Sequence, residues 1–375
     1  MTAKTEIIRL GVVGCGAVAQ RHHLSALREV RSIKVTAVAD SDTARLALIA
    51  EEFGIEQRFR NYRELVQSEN IDAVAVCTPP ELHEEIALAA IENGKHTFVE
   101  KPLTLTLESC QRLANTVAKV PRLKLMVGFN LRQHRLILEA RQKIQRGELG
   151  RIKLVRTVFT NGSRRQKDCA AWRKQKGSGG GALFELGVHH FDIVRFLCDA
   201  EIAEVSSASV SEDGSATVAA RLDDGTQLIS AFSENATDNQ EIEVYGERGR
   251  LRVSCYRFDG LEHLSEYSGS PTDRMQNLKR KLVSFPRFIS QLKRGGDYVA
   301  TYAGEWRHFA DAIINDKPVN CTLEDGREAL AVALTAMVAS ATSRAVRITE
   351  VKERPTSNEG RGPDEALFLT REATA

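Results

Sequence analysis

The stretch LGVVGCGAVAQRHH, Leu10 to His23, decides the fold. A β-branched run leads into Gly14 and Gly16, a small residue follows at Ala19, and a segment of helical period comes next. Such a glycine pair is either a plain turn between strand and helix or a cradle for a phosphate. The next apolar run, IKVTAVAD, decides between them. It ends at Asp40, about 20 residues past the glycines, where an acid that binds a dinucleotide's ribose belongs. Gly14 then permits the tight turn, and Gly16 lets the backbone approach a pyrophosphate. Ala17 and Val18 open the helix whose N–H groups face it, and Ala19 allows close helix–strand packing. An acid at Asp40 would accept from both ribose hydroxyls and repel a 2′-phosphate, which favours NAD over NADP; Arg45 nearby weakens that preference.

Outward from this stretch, residues up to about 125 alternate between two kinds of segment. The runs IIRLGVV, IKVTAVAD, IDAVAVCT, KHTFVE and LKLMVGF are nearly continuous in apolar residues, as strands buried on both faces are. Helical-period stretches lie between them. The expected fold class is α/β: an N-terminal Rossmann domain with a doubly wound parallel sheet over residues 1–128. After Asn130 come a helix near 133–145, a second near 187–198, and five strands, EVSSASV to GRLRVSC. LDDGTQL and YGERGRL read as hairpin turns, with Gly225 and Gly249 free to take positive φ. Residues 129–350 are therefore expected to form a substrate-binding and oligomerisation α+β domain on a large, mainly antiparallel open sheet. Residues 351–375 read as a loose polar tail.

A chain of 375 residues fits two domains. Its net charge of +2 argues against a nucleic-acid or membrane-surface partner. The seven cysteines form no CxxC pair and several lie in apolar runs, so buried thiols in a reducing cytoplasm are expected and a metal site is not. No secretory signal and no membrane span is expected.

Three further stretches carry chemistry. CTPPELHEE ends a strand on the ligand side of such a sheet; Thr78 and Pro79 lead a helix start, and His83 taken alone is as well read as structural. FVEKPLTLT sets Glu100, Lys101 and Pro102 at the end of the next strand, on the cofactor side, where Glu100 is expected to contact the cofactor. An arbitrary Glu-Lys pair is solvated surface, but a lysine here can donate to a substrate hydroxyl, with burial expected to lower its pKa. GGGALFELGVHHFDIVRFL places Glu185, His189 and Asp192 at i, i+4 and i+7, on one face of a helix. Such a trio is either a salt-bridged helix or a histidine tuned for proton transfer.

In order along the chain, GCGAVAQRH, AVAD, TPPELH, GKHTFVEKPL, GFNLR, the WR of AAWRKQKGSGGG and ELGVHHFD resemble the glucose–fructose oxidoreductase / inositol dehydrogenase / rhizopine catabolism (Gfo/Idh/MocA) family, from Leu10 to Ile348. The resemblance implies that Lys101 contacts the hydroxyl at the reacting carbon and that His189 is its acid/base partner. The position of Glu185 is usually aspartate in the family, so its carboxylate reaches one methylene further here. Arg132 and Trp172, with Arg173 beside it, match positions near the active-site cleft, and His22 and His83 match histidines near the cofactor.

The expected function is hydride transfer between a secondary alcohol of a sugar, inositol or derivative and nicotinamide C4, with NAD as cofactor. Two alternatives stay open: an NAD-dependent glycosidase or epimerase that oxidises transiently, and a dinucleotide-binding sensor without turnover. The basic run SRRQKDCAAWRKQK, Ser163 to Lys176, either is a solvated loop or draws an anionic substrate. A second basic stretch, MQNLKRKLVSFPRFISQLKRGG, has Leu278, Leu282, Phe285 and Phe288 at helical spacing and is expected to pack or to form an oligomer contact. A homodimer or homotetramer is expected.

Overall fold

A computed structural model describes residues 7–162, 181–211, 214–266, 270–292 and 296–353, without the side chains of 287–292. The chain divides into two compact units, one of Met1–Asn130 with Val299–Arg327 and one of Leu131–Tyr298 with Glu328–Ala375.

The first unit is built on six strands: β1 (Ile8–Val13), β2 (Ile33–Ala39), β3 (Gln57–Phe59), β4 (Ala73–Val76), β5 (His96–Glu100) and β6 (Leu125–Gly128). Their order is β3-β2-β1-β4-β5-β6, every pair parallel. The order reverses between β1 and β4, which opens a crevice at the carboxyl ends of these two strands. The apolar runs become strands because both faces are covered; all four residues of β4 are buried. Crossover helices start where the sequence supplies caps. Asp42 accepts from the Ala44 and Arg45 amides at the head of Thr43–Phe53, and Thr106 accepts from the Ser109 amide at the head of Leu107–Val117.

Residues 299–327 belong to this unit rather than to a contiguous second domain. Trp306 and Phe309 on helix Gly296–Ile314 are fully buried, with ring centroids 4.4 and 6.1 Å from that of Phe98 on β5. The Val127 amide of β6 donates to the Cys321 carbonyl at 3.1 Å. Burial of two large aromatic rings outweighs the closure entropy of the long excursion, which grows only logarithmically with length.

The second unit carries an eight-stranded sheet: β7 (Ile152–Thr160), β8 (Ile202–Val210), β9 (Ala216–Leu222), β10 (Gln227–Ser233), β11 (Asn239–Gly246), β12 (Gly249–Ser254), β13 (Gly260–Ser265) and β14 (Val346–Arg347). The order is β13-β12-β11-β7-β10-β9-β8-β14. Only β7 and β10 pair in parallel; the other neighbours are antiparallel. Buried and more exposed residues alternate along β9 and β10, as expected for a sheet covered on one face.

Gly225 has φ +89°, as its hairpin requires, but Gly249 has no positive φ. Gly249 opens β12, where an added Cβ would stand 2.7 Å from the Leu264 carbonyl oxygen of β13. Close backbone approach, not turn geometry, calls for glycine there.

Of the two expectations for helix Pro271–Leu292, packing within the chain or an oligomer contact, the first does not hold for its apolar row. Its polar side faces its own unit: Asp273 accepts from Ser265, Asn277 donates to the His263 carbonyl, and Arg280 and Ser284 donate to the buried Asp259 carboxylate. Leu278, Leu282 and Phe285, expected to pack, are more than half exposed, as are Met275 and Val283; Phe288 lies outside the described side chains. Asp259 decides the orientation, because a buried carboxylate is costly unless cations face it. Among the described residues no helix is long and apolar enough to cross a membrane.

Candidate active site

In the first unit the glycine turn has the two properties a dinucleotide cradle needs. Gly14 has φ +92°, and a Cβ there would stand 2.7 Å from the backbone C and O of Cys77 at the end of β4. Gly16 has nothing within 4 Å of an added Cβ, so the space beside its backbone is open. Cys15 between them is buried, which pushes its thiol up to about 12 and keeps it inert.

Asp40 sits at the carboxyl end of β2. Its Oδ2 accepts from the Cys15 amide at 2.8 Å and its Oδ1 from the Asp42 amide at 2.9 Å, so the carboxylate is locked against the glycine turn. Arg45 is held by two acids, 3.4 Å from Asp40 and 3.0 Å from Asp42. Thr78 follows β4, and its buried Oγ1 has no hydrogen-bond partner. An orphaned hydroxyl, an open glycine and a locked acid fit a bound dinucleotide.

Pro79 precedes the short 3₁₀ turn Pro80–Leu82, and helix His83–Glu92 follows. His83 is buried. Its Nδ1 lies 2.9 Å from the Pro102 carbonyl oxygen and its Nε2 2.9 Å from that of Thr78. It therefore ties the TPP loop to the loop after β5. Burial lowers its pKa against the upward pull of the two carbonyls.

Glu100, a candidate cofactor contact, is 7% exposed and bonded through both carboxylate oxygens within its own unit. Its Oε1 lies 2.7 Å from His23 Nε2 and its Oε2 accepts the Lys101 amide at 3.0 Å. Lys101 is half-buried, and the Lys101–Pro102 peptide bond is cis. His22 stacks on Tyr302, with ring centroids 4.6 Å apart. Sequence reasoning passed over His23, which is fully buried. It lies on the turn Ala19–Leu24, a π-helix that carries an extra residue.

In the second unit Leu183–Gly187 is likewise a π-helix, and α-helix Val188–Cys198 continues from it. Glu185 and His189 are buried, at 6% and 8% exposure. The widened turn stands between Glu185 and the α-helix that carries both His189 and Asp192, so uniform 3.6-residue spacing holds for the last two only. Asp192 pairs with Arg132, accepting from Nε at 2.8 Å and from Nη2 at 2.6 Å. Both partners are buried, so Arg132 anchors this helix through a bidentate pair. Trp172, Arg173 and the basic run 163–176 lie outside the described residues. No group of metal-ligating side chains occurs among the described residues.

His190 is completely buried, stacked on Phe159 at 5.0 Å, and neither ring nitrogen has a partner. Burial pushes its pKa down from 6.5 to about 3. The folded state therefore holds it neutral, while the unfolded chain takes a proton below pH 6.5. Stability from this residue is complete above that pH and falls by about 1.4 kcal/mol per pH unit below it. His190→Phe keeps a ring among Phe159 and Phe232 and removes the titration. Urea unfolding should show the variant gaining about 2 kcal/mol on the unmodified protein between pH 7.5 and 5. An unchanged difference would mean that the folded protein accepts the proton.

Known proteins resemble most of the chain. A profile described as "Oxidoreductase family, NAD-binding Rossmann fold" matches residues 8–129, and the GFO/IDH/MocA C-terminal domain matches residues 137–252. Myo-inositol 2-dehydrogenase of Thermotoga maritima is 26% identical over 92% of this chain and 99% of its own length. The scyllo-inositol 2-dehydrogenase (NAD(+)) of Bacillus subtilis is 27% identical over 83% of this chain and 87% of its own. The crystal structure of Lactobacillus casei scyllo-inositol dehydrogenase with bound NAD(H) and scyllo-inositol shares the fold, with TM-score 0.76 and 22% identity over 92% of this chain and all of that one.

Proposed function

Because this chain is an NAD-dependent oxidoreductase of the GFO/IDH/MocA family, we propose that it oxidises a secondary alcohol of an inositol or a related polyol or sugar, with Lys101 and His189 handling the proton. The observation that carries this reading is the nearly end-to-end likeness to a myo-inositol 2-dehydrogenase. Bound NAD supplies a hydride acceptor at nicotinamide C4. Lys101 donates a hydrogen bond to the reacting hydroxyl and stabilises the alkoxide as charge develops on oxygen. His189 takes the proton, and Glu185, one turn earlier, orients the imidazole. Gly14, Gly16, Ala17 and Val18 would hold the pyrophosphate, and Thr78, Pro79 and His83 would stand near the cofactor.

Screening NAD reduction against inositols, polyols, sugars, sugar acids and nucleotide sugars tests this reading. NADH formation with an inositol or polyol is the expected result. Bound sugar without net NADH would favour transient oxidation, and cofactor binding with no turnover on any alcohol would favour a sensor. A second reading, an anionic sugar derivative, draws on the basic run 163–176; turnover confined to sugar acids or nucleotide sugars would favour it.

Asp40 sets the cofactor preference. In Asp40→Ser the ribose loses a charged acceptor and Arg45 loses one of its two acids. Charged hydrogen bonds contribute about 1.5–3 kcal/mol, so kcat/KM with NAD should fall about 10- to 100-fold relative to NADP. An unchanged NAD/NADP ratio would remove Asp40 from the ribose site. We expect a homodimer or homotetramer, supported by the exposed apolar row on Pro271–Leu292; sedimentation as a monomer would contradict it.

A further inference from the structure

The core of the first unit contains a run of polar contacts that the reaction above does not use. Trp306 Nε1 donates to His23 Nδ1 at 3.2 Å. His23 Nε2 lies 2.7 Å from Glu100 Oε1, and Glu100 Oε2 accepts the amide of Lys101 at 3.0 Å. Trp306 and His23 are wholly buried and Glu100 is 7% exposed. Three rings pack edge-on around the imidazole: Phe98 at 5.4 Å, Tyr302 at 5.2 Å and Trp306 at 5.6 Å.

The chemistry of the first donor settles the proton positions along the run. An indole N–H can only donate. His23 Nδ1 must therefore present its lone pair, and the ring proton stands on Nε2, aimed at Glu100. The carboxylate receives a charge-assisted bond from the ring on one oxygen and the Lys101 amide on the other. Its rotamer is fixed at both ends, and so is the backbone that carries the lysine. Glu305, next to Trp306 on the same helix, is 1% exposed and has no partner on either oxygen. Burial and the like charge of Glu100 push its pKa up, whereas the bond to His23 and the nearby Lys101 lower that of Glu100 against its own burial. One charge, held by Glu100, thus resides in this part of the core.

We propose that Trp306 and His23 are positioning residues for Lys101, fixing through the Glu100 carboxylate where the lysine backbone leaves β5. The proposal rests on the role of Lys101 given above. The indole sets the tautomer, the tautomer sets the carboxylate, and the carboxylate sets the lysine. A misplacement on the order of 1 Å at a catalytic group costs about 100-fold in rate, so this arrangement acts on turnover rather than on ligand binding.

Three variants and two independent readouts test it. Trp306→Phe keeps a ring against Phe98 and Phe309 but removes the N–H. His23→Leu removes the whole link, and His23→Gln restores an N–H donor toward Glu100. The first readout, ¹⁵N NMR of histidine-labelled protein, needs no turnover. His23 should appear as the Nε2–H tautomer in the unmodified protein and lose that uniformity in Trp306→Phe. The second is steady-state kinetics with NAD affinity measured alongside. Trp306→Phe should lower kcat about tenfold and His23→Leu about 100-fold, with KM and NAD affinity within about twofold, and His23→Gln should recover most of the loss. An Nδ1–H tautomer in the unmodified protein would overturn the proposal. So would unchanged kcat in folded Trp306→Phe and His23→Leu, or a fall in kcat that only tracks lost NAD affinity. Lys101→Ala, run in parallel, separates the two ideas. Full turnover in that variant would defeat the role of Lys101, while the His23 tautomer would still report on the network.

Discussion

Lys101→Ala is expected to lower kcat by about 10²- to 10⁴-fold while NAD affinity and unfolding temperature stay close to those of the unmodified protein. On the role proposed for Lys101, a hydrogen bond to the reacting hydroxyl, its loss is felt where charge develops on the alcohol oxygen and not in the ground state. The fold does not depend on its side chain. Lys101 is half-buried, and the contact that secures this point of the chain runs from its backbone amide to Glu100. Alanine keeps that amide. A variant that folds, binds NAD and fails to turn over is therefore the predicted outcome, read from initial rates beside a calorimetric binding isotherm. Rates within threefold of the unmodified protein would take Lys101 out of the chemistry.

The second large effect separates the two glycines. Gly14→Ala places a Cβ 2.7 Å from the backbone C and O of Cys77 and 2.9 Å from the Thr78 amide nitrogen, at φ +92°. No flexible side chain is available to move aside, because the obstacle is the end of β4 itself. Steric overlap adds to the left-handed backbone penalty, and a loss of at least about 3 kcal/mol in stability is expected, with NAD binding lost as well. Gly16→Ala meets nothing within 4 Å, so unfolding should be unchanged while NAD affinity falls about 10- to 100-fold, as the methyl group would fill the space proposed for the pyrophosphate. Denaturant unfolding and NAD titration of both variants check this contrast. Equal stability loss in the two would mean that the turn is only a turn.

The parts of this architecture that could be read from sequence are those set by local chemistry. Strands β1, β2, β4, β5 and β6 announce themselves as apolar runs because both of their faces are covered. Asp42 and Thr106 stand at the heads of their helices because each offers an oxygen to an amide that lacks a partner. What escaped was decided at long range or below the length of a pattern. β3 and β14 have three and two residues, too few for any periodicity to register. The return of residues 299–327 to the first unit is set by Trp306 against Phe98, a pairing that no window along the chain contains. Arg132 and Asp192 are 60 residues apart and meet only when their helix is built. The π-helices at Ala19–Leu24 and Leu183–Gly187 left no mark on the sequence pattern either, since a repeat of 3.6 residues gives no hint of an inserted one. Both fall in the motifs that carried the chemistry, which is where local rules are most often broken.

Following a deuterium label placed on the carbinol carbon of an inositol tests the central claim most directly. The account predicts that the label moves from carbon to C4 of the nicotinamide, so that mass spectrometry finds it in the reduced cofactor and not in solvent, with transfer slowed at least about 100-fold in Lys101→Ala. Label that washes into water, or that stays on carbon throughout while the inositol is bound with NAD, would contradict hydride transfer by this protein.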